Sequence, residues 1–114
     1  MIIYTTMYKV YLIKNLDDNQ YKIGYTRRTV EQRIKEFKTG NCNELKIIHQ
    51  FESEWGTKIE ASLHRKFKYK KIDGEWFYLD GEEVKNFIFE CQKLHQNFEI
   101  LSKTNSLVIE RGFR

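Results

Sequence analysis

A glutamate and a histidine, Glu60 and His64, stand four residues apart in a run whose apolar residues recur at helical spacing. On an α-helix such a pair lies on one face, one turn apart. A carboxylate is a ligand that hard divalent cations prefer, and the imidazole could share the ion or contact a phosphate. The pair therefore indicates a metal or phosphate site. The simpler alternatives are a capping box between Thr57 and Glu60, and a histidine at the helix edge.

An arginine lies inside the apolar stripe of an earlier segment. Arg33 comes three residues after Val30 and four before Phe37, so its stem follows the apolar face of a predicted helix. The stem could simply cover the core and leave the guanidinium at its edge. The other interpretation is a phosphate clamp, because the planar guanidinium matches two oxygens of one phosphate.

Alternation in the first two predicted strands places Tyr11 and Lys22 side by side if the two strands share a face there. A neighbouring ammonium favours the phenolate, so we expect the pKa of Tyr11 to lie below its ordinary value of about 10. Gly24, two residues after Lys22, allows another backbone or a ligand to come close to the strand. A surface Tyr–Lys pair is the simpler interpretation of this pattern.

Basic residues gather around two predicted helices, as is typical of surfaces that follow a phosphate backbone. The residues assigned to DNA contact are Arg27, Arg28, Lys35, Arg65, Lys68, Lys70 and Lys71. The chain has 20 Lys plus Arg against 16 Asp plus Glu, which gives a net charge of only +4 at pH 7. A charge of this size does not by itself establish nucleic-acid binding, and basic runs are also common on solvated surfaces.

Composition limits the class of protein. The 114 residues suit one domain, and a content of 40% hydrophobic and 15% aromatic residues excludes wholesale disorder. No apolar run approaches the roughly 20 residues that cross a bilayer, and no secretory signal is visible. Cys42 and Cys91 match neither a metal spacing nor a disulfide framework. We therefore expect a cytoplasmic protein with reduced thiols and no membrane contact.

The elements that must position these residues follow the order ββα-β-α-β-α, which predicts an α+β domain. Strands are predicted over residues 7–13, 20–25, 45–51 and 75–79. The expected sheet is short, mostly antiparallel and centred on three strands, with helices against it. Capping boxes at Thr29 and Asp80 open the first and third helices, and the second spans residues 55–69.

The last part of the chain has a weaker pattern. We expect the domain to cover residues 1–90 and a C-terminal extension to cover residues 91–114. The extension either packs on the domain or is loosely ordered. Its apolar residues 107–109 would suit a late strand or a docked tail.

Taken in order, five segments resemble the motifs of the GIY-YIG nuclease superfamily, and most closely its small phage and bacterial branch. The segments are residues 9–13, 22–26, 32–37, 60–67 and 74–77. Tyr11 matches the tyrosine of the first triplet, and Gly24 matches the glycine of the second, in which Lys22 replaces tyrosine. No single triplet is specific for this superfamily, but the five segments in this order and spacing are. The similarity covers residues 8–88 and favours a protein encoded by a phage or a mobile element.

The resemblance implies hydrolysis of a DNA phosphodiester with one divalent ion, Mg²⁺ or Mn²⁺, and with no organic cofactor. Glu60 would hold the ion, and Arg33 would clamp the scissile phosphate. Tyr11 would orient or deprotonate the attacking water, with Lys22 as a proton path. His64 would be an auxiliary phosphate contact or a proton relay.

Two other functions fit the same residues, because a fold does not determine an activity. One is a DNA-binding module that does not cleave, and the other is a protein-interaction or inhibitor domain with an idle site. The presence of Tyr11, Arg33 and Glu60 together favours the nuclease. A carboxylate amid phosphates repels DNA unless a cation screens it.

Overall fold

The computed structural model describes residues 5–37 and 44–110, so Cys42 and the end of the predicted extension, residues 111–114, lie outside the description. The strands are β1 (Tyr8–Asn15), β2 (Gln20–Thr26), β3 (Leu45–Ser53), β4 (Lys71–Asp73) and β5 (Trp76–Phe77). The helices are α1 (Val30–Phe37), α2 (Gly56–Lys66), α3 (Gly81–Lys85) and α4 (Phe87–Glu110), and a 3-10 turn, Lys68–Lys70, follows α2.

The strands form one antiparallel sheet in the order β3-β1-β2-β5-β4. The α+β class is confirmed, but the prediction of a three-stranded sheet is wrong, because β5 and β4 extend it to five strands. Of these two strands, β5 lies within the strand predicted at residues 75–79, whereas β4, with 3 residues, is too short for alternation to reveal it. They are joined by a tight turn at Gly74, whose φ of +54° lies in the region that glycine adopts without strain.

The β1–β2 hairpin has the register that the site requires. Its turn contains Asn19 at a φ of +54°, a conformation that asparagine tolerates. In the ladder Tyr11 lies opposite Gly24, and Ile13 lies opposite Lys22. Directly opposed residues point to the same side of a sheet, and so do residues two apart along a strand. Tyr11 and Lys22 therefore share a face of the sheet, which meets the condition stated for their pairing.

Apolar residues cover both faces of the sheet. The larger core lies under α2 and α4, and its members include Val10, Leu12, Ile23, Ile59, Leu63, Phe77 and Phe87. On the other face Tyr11 and Ile13 pack with Val30 of α1. The alternation of β1 thus sends Leu12 into the larger core and Tyr11 beneath α1.

The predicted capping boxes are confirmed at both helices. Thr29 Oγ1 accepts a hydrogen bond of 3.1 Å from the Gln32 backbone, and the Asp80 side chain caps α3 in the same way. The helix predicted from Asp80 onward is in fact two, because α3 ends at Asn86 and α4 begins at Phe87.

Helix α4 runs without a break past residue 90, where the predicted extension begins, and residues 107–109 have helical backbone rather than strand. In the described ranges, no helix is both long enough and apolar enough to cross a membrane.

Candidate active-site cleft

A cleft opens beside β2 at the point where its neighbour β5 ends. The β2–β5 pairing stops at Lys22 and Trp76, and the Ile23 N–H makes one further bond of 3.0 Å to the Glu75 carbonyl. Beyond that point, side chains of α2 lie against the strand edge. The cleft has a volume of about 390 Å³ and is lined by Tyr25, Thr26, Arg27, Arg28, Arg33, Glu60 and Glu75.

Helix α2 is held against this edge by His64. Its Nε2 lies 2.8 Å from the Ile23 carbonyl oxygen, and because a carbonyl can only accept, Nε2 carries the proton. The ring also meets Phe77 edge-on, with centroids 4.9 Å apart. His64 thus fastens α2 to β2, and its role as a phosphate contact or proton relay stays a prediction.

Glu60 faces the cleft rather than the start of its helix. Helix α2 begins at Gly56, and its N-cap, Trp55, makes no side-chain capping bond, so Glu60 and Thr57 do not form the capping box. The Glu60 carboxylate is mostly shielded, with 15% of its side chain exposed, and lies 3.8 Å from His64 Nε2.

The electrostatic surroundings of Glu60 leave its negative charge under-compensated. Burial raises the pKa of Glu60, and the nearby charge of Glu75 raises it further, although His64, Lys22 and Lys71 act in the opposite direction. The ionised carboxylate is therefore less stable here than in water. An added cation would relieve this cost.

Tyr11 reaches the cleft from below β2 because Gly24 leaves room for it. A Cβ at Gly24 would lie 2.3 Å from Tyr11 Oη and 2.8 Å from Glu75 Oε1, closer than real Cβ contacts come. Position 24 therefore needs a glycine, because any Cβ would overlap the hydroxyl end of the Tyr11 ring. The side chain of Tyr11 is fully buried, and its hydroxyl is shielded from solvent.

The expectation that the pKa of Tyr11 is lowered is wrong. Burial, aided by the negative charge of Glu75, raises the pKa of Tyr11 to about 12, and a hydrogen bond and the charge of Arg33 offset this only in part. Lys22 does not supply the expected effect, because its ammonium lies 3.2 Å from Glu75 Oε1 and over the Trp76 ring. The Tyr11 phenol is consequently neutral at physiological pH.

Arg33 and Arg28 share one carboxylate. Arg33 Nη1 lies 2.9 Å from Glu36 Oε2, and Arg28 forms an ion pair with Oε1 of the same residue. Hydrogen bonds from Arg28 and Arg33 lower the pKa of Glu36. Two guanidiniums that converge on one carboxylate are also a geometry that suits a phosphate group.

The other predicted DNA contacts divide between the cleft and the surface around it. Arg27 and Arg28 line the cleft, and their contact with DNA stays a prediction. Lys70 and Lys71 line a separate groove, where Lys70 is paired with Glu83 and lies 3.5 Å from Asp80. The remaining residues are exposed and do not line either cavity: Lys35, Arg65 and Lys68.

Sequence reasoning missed two acids of the site, Glu75 and Glu36. Glu75 is the only charged residue of the predicted strand 75–79, a signal that could have singled it out. Glu36 follows Arg33 by three residues, the spacing of an ion pair along a helix.

The donor set of the cleft fits a hard divalent cation. Residues 5–37 and 44–110 contain no group of three His, Cys, Asp or Glu side chains that could hold a metal ion. Glu60 and Glu75 both line the cleft, and carboxylate oxygens are the ligands that Mg²⁺ and Mn²⁺ prefer. Since Mg²⁺ is often held by one or two carboxylates, with water and substrate completing its shell, an open set of this kind is adequate.

Comparison with known proteins places the chain by family. No curated protein and no solved structure matches it. The T5orf172 domain matches residues 8–92, a range that contains every residue of the cleft. This domain is phage-associated and nuclease-associated, and it is related in general to GIY-YIG-like and HNH-type nuclease folds. The chain belongs to the T5orf172 domain family.

Proposed function

We propose that the protein is a GIY-YIG-type DNA endonuclease that hydrolyses a phosphodiester bond with one divalent ion, Mg²⁺ or Mn²⁺. The observation that carries the proposal is that Arg33 of α1 and Glu60 of α2 line one cleft, while the hydroxyl of Tyr11, from β1, lies beneath Gly24 close to Glu75 of the same cleft. The charges of Arg33 and Glu60 both act on the Tyr11 hydroxyl. A phenol, a guanidinium and an acid brought together in this way can act on a single phosphate.

Glu60, with Glu75 beside it, would hold the divalent ion. The bound ion would act as a Lewis acid toward a phosphate oxygen and the leaving 3′ oxygen. The cost of ionising Glu60 in its shielded position supports this role, because a cation there would compensate a charge that His64 and Lys22 compensate only in part.

Arg33 would clamp the scissile phosphate, with Arg28 and Arg27 on neighbouring oxygens of the backbone. To do so, Arg33 and Arg28 must exchange the Glu36 carboxylate for phosphate oxygens. The exchange is feasible because all three side chains are substantially exposed, and exposed ion pairs contribute little stability.

Tyr11 would orient the attacking water rather than deprotonate it. With a pKa of about 12 the phenol keeps its proton near neutral pH, so it can donate one hydrogen bond and accept another. Its hydroxyl is shielded in the free protein. If Arg33 moved onto a phosphate, it would no longer shield the Tyr11 hydroxyl, and water could then reach that hydroxyl.

A test uses supercoiled plasmid DNA with Mg²⁺, Mn²⁺ or EDTA. We expect nicked or linear product with either metal and none with EDTA. Glu60→Gln removes the metal-binding charge and should abolish cleavage, whereas Glu52→Gln, at an exposed position of β3, should leave it intact. Cleavage by Glu60→Gln at the wild-type rate would reject the metal role.

The second candidate is a DNA-binding module that does not cleave. The shielding of the Tyr11 hydroxyl favours it, because an idle site needs no route for water. This function predicts affinity that falls steeply with salt as phosphate contacts release counterions, without any product. Affinity that does not respond to salt would count against both DNA functions.

A further inference from the structure

A second groove lies on the outer edge of the sheet. We call it the edge groove, and its lining residues are Tyr69, Lys70, Lys71, Tyr78, Leu79 and Asp80. Its volume of about 440 Å³ falls within the roughly 300–1,000 Å³ of small-molecule sites. Tyr69 precedes the edge strand β4, and Tyr78 follows β5. The Tyr78 N–H bonds to the Lys70 carbonyl at 2.9 Å, which holds the two segments side by side.

The two tyrosines of the edge groove expose most of their surface. Tyr69 is 78% exposed and Tyr78 is 58% exposed, whereas Phe77, the residue of β5 that precedes Tyr78, is fully buried. A tyrosine has an apolar ring that gains from being covered, and it loses little conformational entropy when a planar partner stacks on it. Two such rings in one groove suit a flat aromatic ligand.

Three charged residues line the edge groove: Lys70, Lys71 and Asp80. Lys70 is neutralised by Glu83 and Asp80, and Asp80 is itself engaged in capping α3. Lys71 forms no ion pair with any acid among the described residues, so its ammonium can attract a phosphate. The groove and the cleft lie at the two ends of one short strand, because Glu75, just before β5, lines the cleft and Tyr78, just after β5, lines the groove.

We propose that the edge groove binds an unpaired base of the DNA whose phosphate occupies the cleft, with Tyr69 and Tyr78 stacking on the base and Lys71 contacting the adjoining phosphate. Exposed aromatic rings combined with cationic side chains are the way proteins bind single-stranded nucleic acid without reading its sequence. This inference rests on the proposed function, and it adds a preference for DNA that has a single-stranded segment beside the cleaved bond.

The test compares binding to a blunt duplex and to the same duplex with a single-stranded overhang. Both DNAs are measured in EDTA by fluorescence anisotropy, and the overhang carries 2-aminopurine, whose emission falls when it stacks on an aromatic ring. We expect the wild type to bind the overhang DNA more tightly and to quench the probe. Tyr69→Ala and Tyr78→Ala should weaken overhang binding by roughly 5- to 100-fold, the loss of one stacked base, and restore the emission.

Controls separate stacking from folding. The Tyr→Phe variants keep the ring and should retain both affinity and quenching. Phe89→Ala removes a ring of similar exposure on α4, and it should change neither. All variants should leave blunt-duplex binding unchanged.

The outcomes distinguish this inference from the nuclease proposal. Equal losses for blunt and overhang DNA in the alanine variants, or no quenching by the wild type, would overturn the edge groove as a base site. If supercoiled plasmid is cleaved but the alanine variants of the two tyrosines bind overhang DNA as tightly as the wild type, the nuclease proposal stands and the groove proposal fails. If no DNA is cleaved but the tyrosines control quenching, the groove stands without the nuclease.

Discussion

Replacing Gly24 by alanine is the sharpest perturbation of the cleft that the structure offers. The new Cβ would lie 2.3 Å from Tyr11 Oη and 2.6 Å from Tyr11 Cζ, and real Cβ contacts are essentially never below 3.0 Å. The ring cannot turn away easily, because Tyr11 is fully buried and packs with Ile13 and Val30. The Tyr11 ring or strand β2 must therefore move by about 1 Å, a displacement of the size that can cost an active site about 100-fold in rate.

The sign of the stability change in Gly24→Ala shows whether overpacking outweighs the usual gain from replacing a glycine. An alanine in place of glycine in a strand normally gains roughly 0.5–1 kcal/mol, but overpacking a filled core costs about 1–3 kcal/mol. We expect Gly24→Ala to lower the free energy of unfolding by the net difference, measured by urea denaturation. Gly81→Ala is the matched control, because nothing lies within 4 Å of its added Cβ, and it should be neutral or stabilising.

A double-mutant cycle tests whether Tyr11 is the group that clashes. Tyr11→Leu removes the two tyrosine atoms that the new Cβ would strike and leaves Glu75 Oε1, the end of a flexible side chain, so Gly24→Ala should lose most of its cost in that background. The coupling between the two changes should exceed about 1 kcal/mol, as is found for residues in direct contact. An equal cost of Gly24→Ala in both backgrounds would refute the packing argument, and wild-type cleavage by Gly24→Ala would refute the role of Tyr11.

Three further predictions concern charge. Because the pKa of Glu60 is raised in the folded state, Glu60 loses its proton at a lower pH in the unfolded chain than in the folded protein, and stability falls as pH rises through the folded pKa. Glu60→Gln should therefore have a higher melting temperature than the wild type near pH 7 in EDTA. The difference should disappear below about pH 4, where the unfolded carboxyl is also protonated. Since burial raises the pKa of Tyr11 to about 12, Tyr11→Phe should remove a step near pH 12 from the tyrosinate absorbance titration. Glu36→Gln removes the negative charge that Arg28 and Arg33 share, so DNA should bind more tightly and with a steeper dependence on salt, measured by anisotropy in EDTA.

Each of these has a contrary result. A Glu60→Gln variant that is less stable than wild type near pH 7 would mean that the ionised carboxylate is already compensated. A Tyr11→Phe titration that loses a step near the ordinary tyrosine value would place the phenol in water. Unchanged or weaker DNA binding by Glu36→Gln would show that the two arginines do not meet phosphate.

The parts of the site that depend on local spacing could be predicted from the sequence. The helical positions of Arg33 and Glu60 beside apolar residues follow from a repeat of 3.6 residues. The shared face of Tyr11 and Lys22 follows from strand alternation once the hairpin is recognised. The T5orf172 match agrees with this reading at the level of a nuclease-associated domain.

The parts that depend on contacts between distant segments could not be predicted. The direction of the pKa shift of Tyr11 depends on how completely α1 and the neighbouring acids enclose the hydroxyl, and alternation does not report this. The sequence predicts a strand at residues 75–79, but alternation does not report that this strand pairs with β2, and the pairing is what brings the Glu75 carboxylate close to Gly24. The Glu36 carboxylate joins two arginines that are separated by a turn and a helix start.

The most direct test of the account is the single-turnover rate of DNA cleavage as a function of Mn²⁺ concentration, measured for wild type and Glu60→Gln on end-labelled duplex. The account predicts a rate that rises with Mn²⁺ to a plateau in the wild type and a rate lower by roughly 100-fold or more in Glu60→Gln, since a catalytic ion contributes several kcal/mol at the transition state. Cleavage that persists in EDTA, or that Glu60→Gln carries out at the wild-type rate, would contradict it.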